Sequence, residues 1–294
     1  MKIAIYGREF QASVIPYVRQ LFDYLIERKV ELYIFDKFYD FLDDKGLCQT
    51  GFHTYSKHQQ LTKDFDFMLS LGGDGTMLAA VSIVGDAGIP VAGINFGRLG
   101  FLASINKDDI EKRLSAIFDG EYDIEKRVLL SVKSPDSNLF GTKHFALNDI
   151  TVFKSDSSAM ITVRAKLNGE LLNDYWADGL IIATPTGSTA YSLSCGGPII
   201  MPGSNNFVIT PMSPHNLNVR PVVISADSVL ELEIESRSER YVLTCDSRTK
   251  SLDTSVKLII QKADFEINLV RLRGEEYFET LRNKLLWGLD ARNY

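Results

Sequence analysis

Phe65-Asp66-Phe67-Met68-Leu69-Ser70-Leu71-Gly72-Gly73-Asp74-Gly75-Thr76 is the stretch on which the fold turns. Residues 65–71 form a mainly apolar run of strand length, and a helix is expected from about Thr76, so three glycines fall between a buried strand and a helix start. The same alternation extends outward on both sides. Residues 2–6 read as a short strand ending at Gly7, and Val14, Ile15, Val18, Leu21, Phe22, Leu25 and Ile26 recur at the three- and four-residue spacing of one helix face. Residues 32–35 and 90–95 read as further strands, and Ile110, Leu114, Ile117 and Phe118 mark a helix that stops at Asp119-Gly120. Strands alternating with helices imply an α/β domain whose parallel sheet is covered on its faces.

Near residue 122 the rhythm changes to a period of two. Ile161, Val163, Ala165 and Leu167 lead into Asn168-Gly169, a hairpin signal, and Leu230, Leu232 and Ile234 alternate with Glu231, Glu233 and Glu235. Val256, Leu258 and Ile260, then Ile267 and Leu269, continue the alternation, while Phe278, Leu281 and Leu285 return to helical spacing. The expected layout is an α/β domain over 1–122, completed by 273–294 with the C-terminal helix packing back onto it. A mainly β, sandwich-like domain occupies 123–272.

Composition narrows the function classes. The 294 residues carry 32 Lys+Arg against 38 Asp+Glu, a formal net charge of −6, which lacks the basic excess of a nucleic-acid binder. No apolar stretch approaches the ~18 residues of a membrane span. The first ten residues hold no signal-peptide cleavage pattern, so a cytoplasmic protein is expected. Cys48, Cys195 and Cys245 are few and far apart, which fits neither a disulfide framework nor a Cys-x-x-Cys metal site. His53, His58, His144 and His215 show no ligand spacing, so no metal-ligating residues are assigned.

Three segments carry candidate chemistry. Gly72, Gly73, Gly75 and Thr76 form a glycine-rich loop whose bare amides and adjoining helix start suit phosphate oxygens. Asp74 is out of place in a phosphate cradle unless it binds a cation or takes a proton from an attacking hydroxyl; the plainer reading is a turn and helix cap. No Walker A loop and no dinucleotide fingerprint after the first strand compete with it. Residues 178–198 carry Thr184, Thr186, Ser188, Thr189, Tyr191, Ser192 and Ser194 beside Gly187, Gly196 and Gly197, a loop suited to a polar ligand, with Tyr191 offering a face for a base. The pair Asn148-Asp149 can read an adenine edge and accept from ribose hydroxyls, or be a strand-end turn. Phe96 is either a ligand wall or core.

Taken together, the glycine loop at 72–76, the segment Gly93-Ile94-Asn95-Phe96-Gly97-Arg98-Leu99-Gly100-Phe101-Leu102, Leu147-Asn148-Asp149, residues 178–191 and Thr210-Pro211-Met212-Ser213-Pro214-His215 resemble the ordered motif set of the NAD kinases. The glycine-aspartate loop alone is shared with lipid kinases and phosphofructokinases, and the long segment from Asp178 separates the NAD kinases from them. The resemblance implies phosphorylation of the adenosine-ribose 2′-hydroxyl of NAD by ATP or another donor, with Asp74 as general base and a divalent cation, Mg²⁺, on the phosphates. Gly72, Gly73, Gly75 and Thr76 would line the donor. NAD would meet Asp74, Gly75, Phe96, Asn148, Asp149, Trp176, Asp178, Thr189, Ala190, Tyr191, Ser192, Leu193, Ser194 and Arg248. A homodimer or homotetramer is implied, with Asp178 often acting across the subunit interface. Asp149 stands where glutamate is frequent, Arg248 where glutamine is frequent and Cys195 where alanine is common; Trp176 and Ala159 replace basic residues or histidine. A lipid or sugar kinase would phosphorylate another acceptor, and a non-catalytic NAD(P) sensor would bind without turnover.

Overall fold

The computed structural model describes residues 1–97, 100–103, 105–135, 137–156, 159–274 and 276–285, and all elements and counts are of those residues. Arg98 and Leu99 of the 93–102 motif, and residues 286–294 at the C-terminal end, lie outside them. The chain divides into two compact units, Met1–Glu125 with Ile267–Tyr294, and Lys126–Glu266.

The first stretch runs Lys2–Gly7 (β1), Ile15–Glu27 (α1), Glu31–Phe35 (β2), Asp36–Asp44 (α2), His53–Tyr55 (β3) and Phe67–Leu71 (β4). Asp74–Val84 (α3), Val91–Asn95 (β5), Ile105–Asn106 (β6), Ile110–Phe118 (α4) and Tyr122–Arg127 (β7) follow. The second unit holds Leu130–Lys133 (β8), Phe145–Ala146 (β9), Asp149–Lys154 (β10), Ile161–Leu167 (β11), Glu170–Ala177 (β12) and Gly179–Ala183 (β13). Then come Tyr191–Ser194 (α5), Asn206–Met212 (β14), Val222–Ser225 (β15), Leu230–Glu235 (β16), Arg240–Cys245 (β17), Arg248–Asp253 (β18) and Leu258–Lys262 (β19). Ile267–Leu272 (β20) and Tyr277–Leu285 (α6) return to the first unit. None of these helices is long and apolar enough to cross a membrane.

In the first unit the strand order is β3-β2-β1-β4-β5-β20-β7, with β6 on β5. The pairings among β1–β6, and that of β20 with β5, are parallel. Both faces are covered, as the alternating pattern requires. Val18, Leu21, Phe22 and Leu25 of α1 share one core with Phe38 of α2, Leu114 of α4 and the sheet residues Ile3, Ile5, Leu69 and Ile94. Gly93, between Ala92 and Ile94 of that core, faces the other way, towards Met77 of α3. Each such Leu or Phe stabilises the unit by about 1.5–3 kcal/mol over leaving it in water. The strand order reverses between β1 and β4, and ligands of open α/β sheets sit outside the carboxyl ends of the strands at such a reversal. Gly72 follows the carboxyl end of β4.

Two antiparallel six-stranded sheets build the second unit, β15-β14-β13-β10-β17-β18 and β12-β11-β16-β19-β8-β9. Ile150, Val152, Ile182, Phe207 and Leu243 from the first share a core with Val163, Leu232, Ile234, Leu258 and Val132 from the second, a face-to-face sandwich. Asn168 and Gly169 both adopt positive φ, 53° and 85°, and join β11 to β12 as the hairpin signal predicts.

The structure departs from the sequence pattern in three places. The helix after the glycine loop begins at Asp74. Helix α2 follows β2 without a linker, and the short edge strand β3 has too few residues to show a period. Strand β20, whose alternation continues that of the β-rich half, pairs in parallel with β5 in the first unit's sheet. A period of two marks a strand and says nothing of its neighbour.

Candidate active site

In the first unit the glycine loop is shaped by one close approach. Gly72 has φ +148°, and a Cβ there would collide with the Thr76 side chain, 2.9 Å from its Cβ. Thr76 is thereby buried beneath the loop, while Gly75 lies open. Gly73 precedes the helix as its N-cap, its carbonyl accepting from the Thr76 and Met77 N–H groups, so the first turn of α3 presents its amides as helix starts do.

Asp74 is the first residue of α3, partly buried, and its carboxylate reaches the segment after β5. The Phe101 N–H donates to Oδ2 at 2.8 Å, and the Leu102 and Ala103 N–H groups donate to Oδ1 at 3.1 and 3.2 Å. A Cβ on Gly100 would land on this carboxylate, so only glycine lets the segment pass so close. A carboxylate has about four lone-pair positions, and Oδ2, with one amide donor here, retains room for a substrate hydroxyl. Lys284 on α6 lies within electrostatic reach of Asp74: burial lowers its pKa, and the Asp74 charge partly offsets that. This lysine was not marked by the sequence pattern, because nothing local ties residue 284 to residue 74. Phe96 is half-buried and packs on the first unit's core, its ring 6.3 Å from that of Phe10.

In the second unit the structure brings two separate motifs together. The Thr184 N–H donates to the Asn148 carbonyl at 2.9 Å, and the Thr184 hydroxyl donates to the Leu147 carbonyl at 2.5 Å and accepts from the Gly187 N–H at 3.1 Å. Residues 184–187 thus lie against Asn148 and Asp149, at the start of β10 beside the carboxyl end of β13. Among the described residues none bonds to the Asn148 side chain, which leaves its amide available. Asp149 is 8% exposed and accepts from the Thr151 hydroxyl at 3.1 Å. Burial, and next the charge of Asp246, push its carboxyl up to about 6, with the Thr151 bond opposing.

The hydroxyls of the long motif divide into two groups. Ser188 is fully buried, donating to the Pro185 carbonyl at 2.7 Å and accepting from the Ile200 N–H at 2.9 Å. Ser192 is fully buried, its hydroxyl 2.8 Å from that of Thr210, so its side chain serves the loop rather than an open surface. Thr186 accepts from Arg127 Nη1 at 3.0 Å, and Thr189 donates to the Thr186 carbonyl at 3.2 Å. Tyr191 at 48% exposure and Ser194 lie open, while Ala190, Leu193 and Cys195 are part-buried. The Tyr191 phenol is raised chiefly by burial, with the charges of Cys195, Asp149 and Asp178 adding to it, so it lies within reach of carboxylates at both ends of β13.

Trp176 and Asp178 are not gathered beside Asn148. Asp178 precedes β13, whose five residues span about 17 Å at ~3.4 Å each. It pairs with Lys154 Nζ at 2.6 Å. Trp176, 49% exposed, packs its ring 4.2 Å from the His215 imidazole. Arg248 is turned inward, donating from Nε to the Cys245 carbonyl at 3.1 Å and from its terminal nitrogens to the Lys143 and Phe145 carbonyls. Its guanidinium bonds three backbone carbonyls, and the side chain remains 21% exposed. Asp246, two residues earlier, was not marked by the sequence; it binds the amides of Leu147, Asn148 and Asp149. Among the described residues no group of three or more His, Cys, Asp or Glu could hold a metal ion.

Residues 3–122 match the family described as ATP-NAD kinase N-terminal domain, and residues 147–272 the ATP-NAD kinase C-terminal domain. The chain is 46% identical over 294 residues to an NAD kinase of Cytophaga hutchinsonii, covering 100% of both. It is 46% identical over 295 residues to an NAD kinase of Flavobacterium psychrophilum, again covering 100% of both. Among solved structures, yeast NADH kinase complexed with NADH superposes with a TM-score of 0.87 at 24% identity, over 99% of this chain and 88% of that one, which shows the fold. An NAD kinase from Archaeoglobus fulgidus in complex with ATP superposes with a TM-score of 0.74 at 26% identity, over 97% and 99%.

Proposed function

The chain belongs to the NAD kinase family, and from that premise we propose how its residues phosphorylate NAD to NADP with ATP. Asp74 accepts the proton of the adenosine-ribose 2′-hydroxyl as that oxygen attacks the γ-phosphorus; the O–P bond forms, the bond to the bridging oxygen breaks, and ADP leaves. The observation that carries this role is Asp74 itself, a part-buried carboxylate fixed by three amides with Oδ2 bonded to one of them. A positioned carboxylate within hydrogen-bond reach of a weakly nucleophilic hydroxyl is the base such a transfer needs.

Gly72, Gly73 and Gly75, with the amides of the first turn of α3, line the donor phosphates, while Thr76 supports the loop from beneath. Mg²⁺ enters as part of the Mg·ATP substrate, because glycine amides alone do not neutralise a triphosphate. Lys284 adds a positive charge on the same side of the first unit as Asp74. Asn148 takes the adenine edge, Asp149 the ribose hydroxyls, and Tyr191 supplies an open aromatic face. Thr189, Ala190, Leu193 and Ser194 frame the adenosine, with the buried Ser192 holding their loop in place. Phe96 packs beside the base. Asp178, a strand's length from Asp149, meets the other half of the dinucleotide with Trp176 near it, and in a homodimer or homotetramer does so across the interface. The protein works in the cytoplasm.

The test mixes the protein, NAD and Mg·ATP and reads NADP with an NADP-specific dehydrogenase, then repeats the assay with polyphosphate. NADP formation with ATP is expected, and its absence would overturn the activity. Phosphate transfer to a lipid or sugar without NADP would establish the competing kinase reading.

A further inference from the structure

Asp246 sits in the turn between β17 and β18 with φ 51°, a left-handed conformation that glycine adopts most easily. Asp tolerates that conformation, so the turn accounts for the residue but not for the burial of its carboxylate. Its side chain is 4% exposed, and burying an ionised carboxylate is costly unless its oxygens are bonded. All of the bonds it makes with amides go to one segment. Oδ2 accepts from the Leu147 N–H at 2.9 Å, and Oδ1 accepts from the Asn148 and Asp149 N–H groups at 2.8 and 3.3 Å. The Asp246 N–H returns a bond to the Asp149 carbonyl at 2.9 Å, and Arg248 Nη2 stands 3.9 Å from Oδ2. From the other side the Thr184 N–H holds the Asn148 carbonyl.

We propose that Asp246 is a positioning residue for NAD: through three successive amides its carboxylate sets the backbone from which Asn148 and Asp149 reach the adenosine. This rests on Asn148 and Asp149 being NAD contacts. The Asn148 N–H and carbonyl are both tied down while its side chain is left for a ligand, which is how a binding group is preorganised. Asp246 also acts on Asp149 through charge. The groups that feel Asp149 are Asp246 and Cys245 from the β17–β18 side and Tyr191 and Cys195 from the α5 side, with Thr151 donating to it and Arg248 facing Asp246. The Asp246 charge raises the Asp149 carboxyl, so its removal moves that carboxyl down.

The test compares wild type with Asp246→Asn, which keeps the shape but turns one acceptor into a donor facing amides. NAD affinity is read by calorimetry, and the KM values for NAD and Mg·ATP by turnover. Loss of one or two of these bonds weakens NAD about tenfold and leaves the KM for Mg·ATP within about twofold. The acid limb of kcat/KM for NAD, set near the Asp149 value of about 6 in the wild type, moves to lower pH. Asp246→Glu, which restores charge but not reach, restores the pH limb and not the affinity. Unchanged NAD affinity in a folded Asp246→Asn protein overturns the proposal; so does an equal loss for NAD and Mg·ATP, which marks mere scaffolding. Should Asp246→Asn not fold, Asp246→Glu decides by itself: NAD affinity about tenfold weaker with the KM for Mg·ATP within about twofold is expected, and wild-type NAD affinity overturns the proposal. Calorimetry reads NAD without turnover, so a wild type that binds NAD but forms no NADP fails the activity and still tests Asp246.

Discussion

Each unit of this protein contains a carboxylate that grips three successive backbone amides, and the two grips run in opposite senses. In the first unit Asp74 is the part-buried group assigned the chemistry, and the amides of Phe101, Leu102 and Ala103 hold it in place. In the second, Asp246 is sealed at 4% exposure and does the holding, and Asn148 and Asp149, which it holds, are the residues proposed above to contact NAD. The bonding is alike, and access separates the roles. Asp74, part-buried, can be reached by a substrate and has a lone pair to offer, whereas Asp246, closed off at 4% exposure, acts through what it binds.

The largest expected effect breaks the first grip at its centre. Asp74→Asn lowers kcat by about 10²–10⁴-fold, the range for loss of a positioned base, while NAD affinity by calorimetry stays near wild type. Near-normal turnover would remove the base role and leave the kinase activity standing. Gly100→Ala tests the holder instead of the held. Its methyl falls on the Asp74 carboxylate, and displacing that group by overpacking lowers kcat about tenfold or more, with NAD affinity unchanged. A full-rate Gly100→Ala enzyme would show that the 101–103 segment does not set Asp74.

A third prediction sharpens the contrast through pH. Asp149 is held at about 6 by burial and the Asp246 charge, above its unfolded value. Its stabilising share is therefore full below the unfolded value near 4 and is lost as pH rises through about 6. Asp149→Asn removes that cost, so the variant melts higher than wild type by about 5 °C at neutral pH, the difference closing on acidification to about pH 4. NAD affinity falls in the same variant. Melting curves that separate equally at both pH values would contradict the buried-charge account. The smallest effect is expected at Lys284→Met, where the KM for Mg·ATP rises about three- to fivefold with NAD affinity unaltered. An unchanged KM for Mg·ATP would place Lys284 outside the donor site.

Much of this was legible locally. The run at 67–71, the glycines after it and the helix behind them follow from apolar clustering and the tolerance of glycine for close approach; the helix itself starts at Asp74, two residues before Thr76, because Gly73 serves as N-cap. The Asn168-Gly169 hairpin is a matter of two residues with positive φ. Asn148-Asp149 and residues 178–191 stand out as polar side chains at the ends of apolar strands. Ser192 shows the limit of that reasoning, since hydroxyl composition does not reveal that its oxygen is spent on Thr210. Arg248 shows it again, since the Lys143 and Phe145 carbonyls that its guanidinium bonds are far away in the chain.

The amino-acid sequence by itself determined which segments are strands and helices over most of the chain, where the rhythm changes from one unit to the next, and which residues are candidates for chemistry. Those properties depend on side-chain type and on periods of two and 3.6, which are local. Tertiary structure alone decided that β20 joins β5, that Thr184 is bonded to Leu147 and Asn148, that Gly100 passes against Asp74, and that Asp246 supports residues nearly a hundred positions earlier. Each of these is a pairing between distant segments. A backbone N–H or carbonyl is the same group at every position, so the choice of its partner is made only when the core has brought the two segments together.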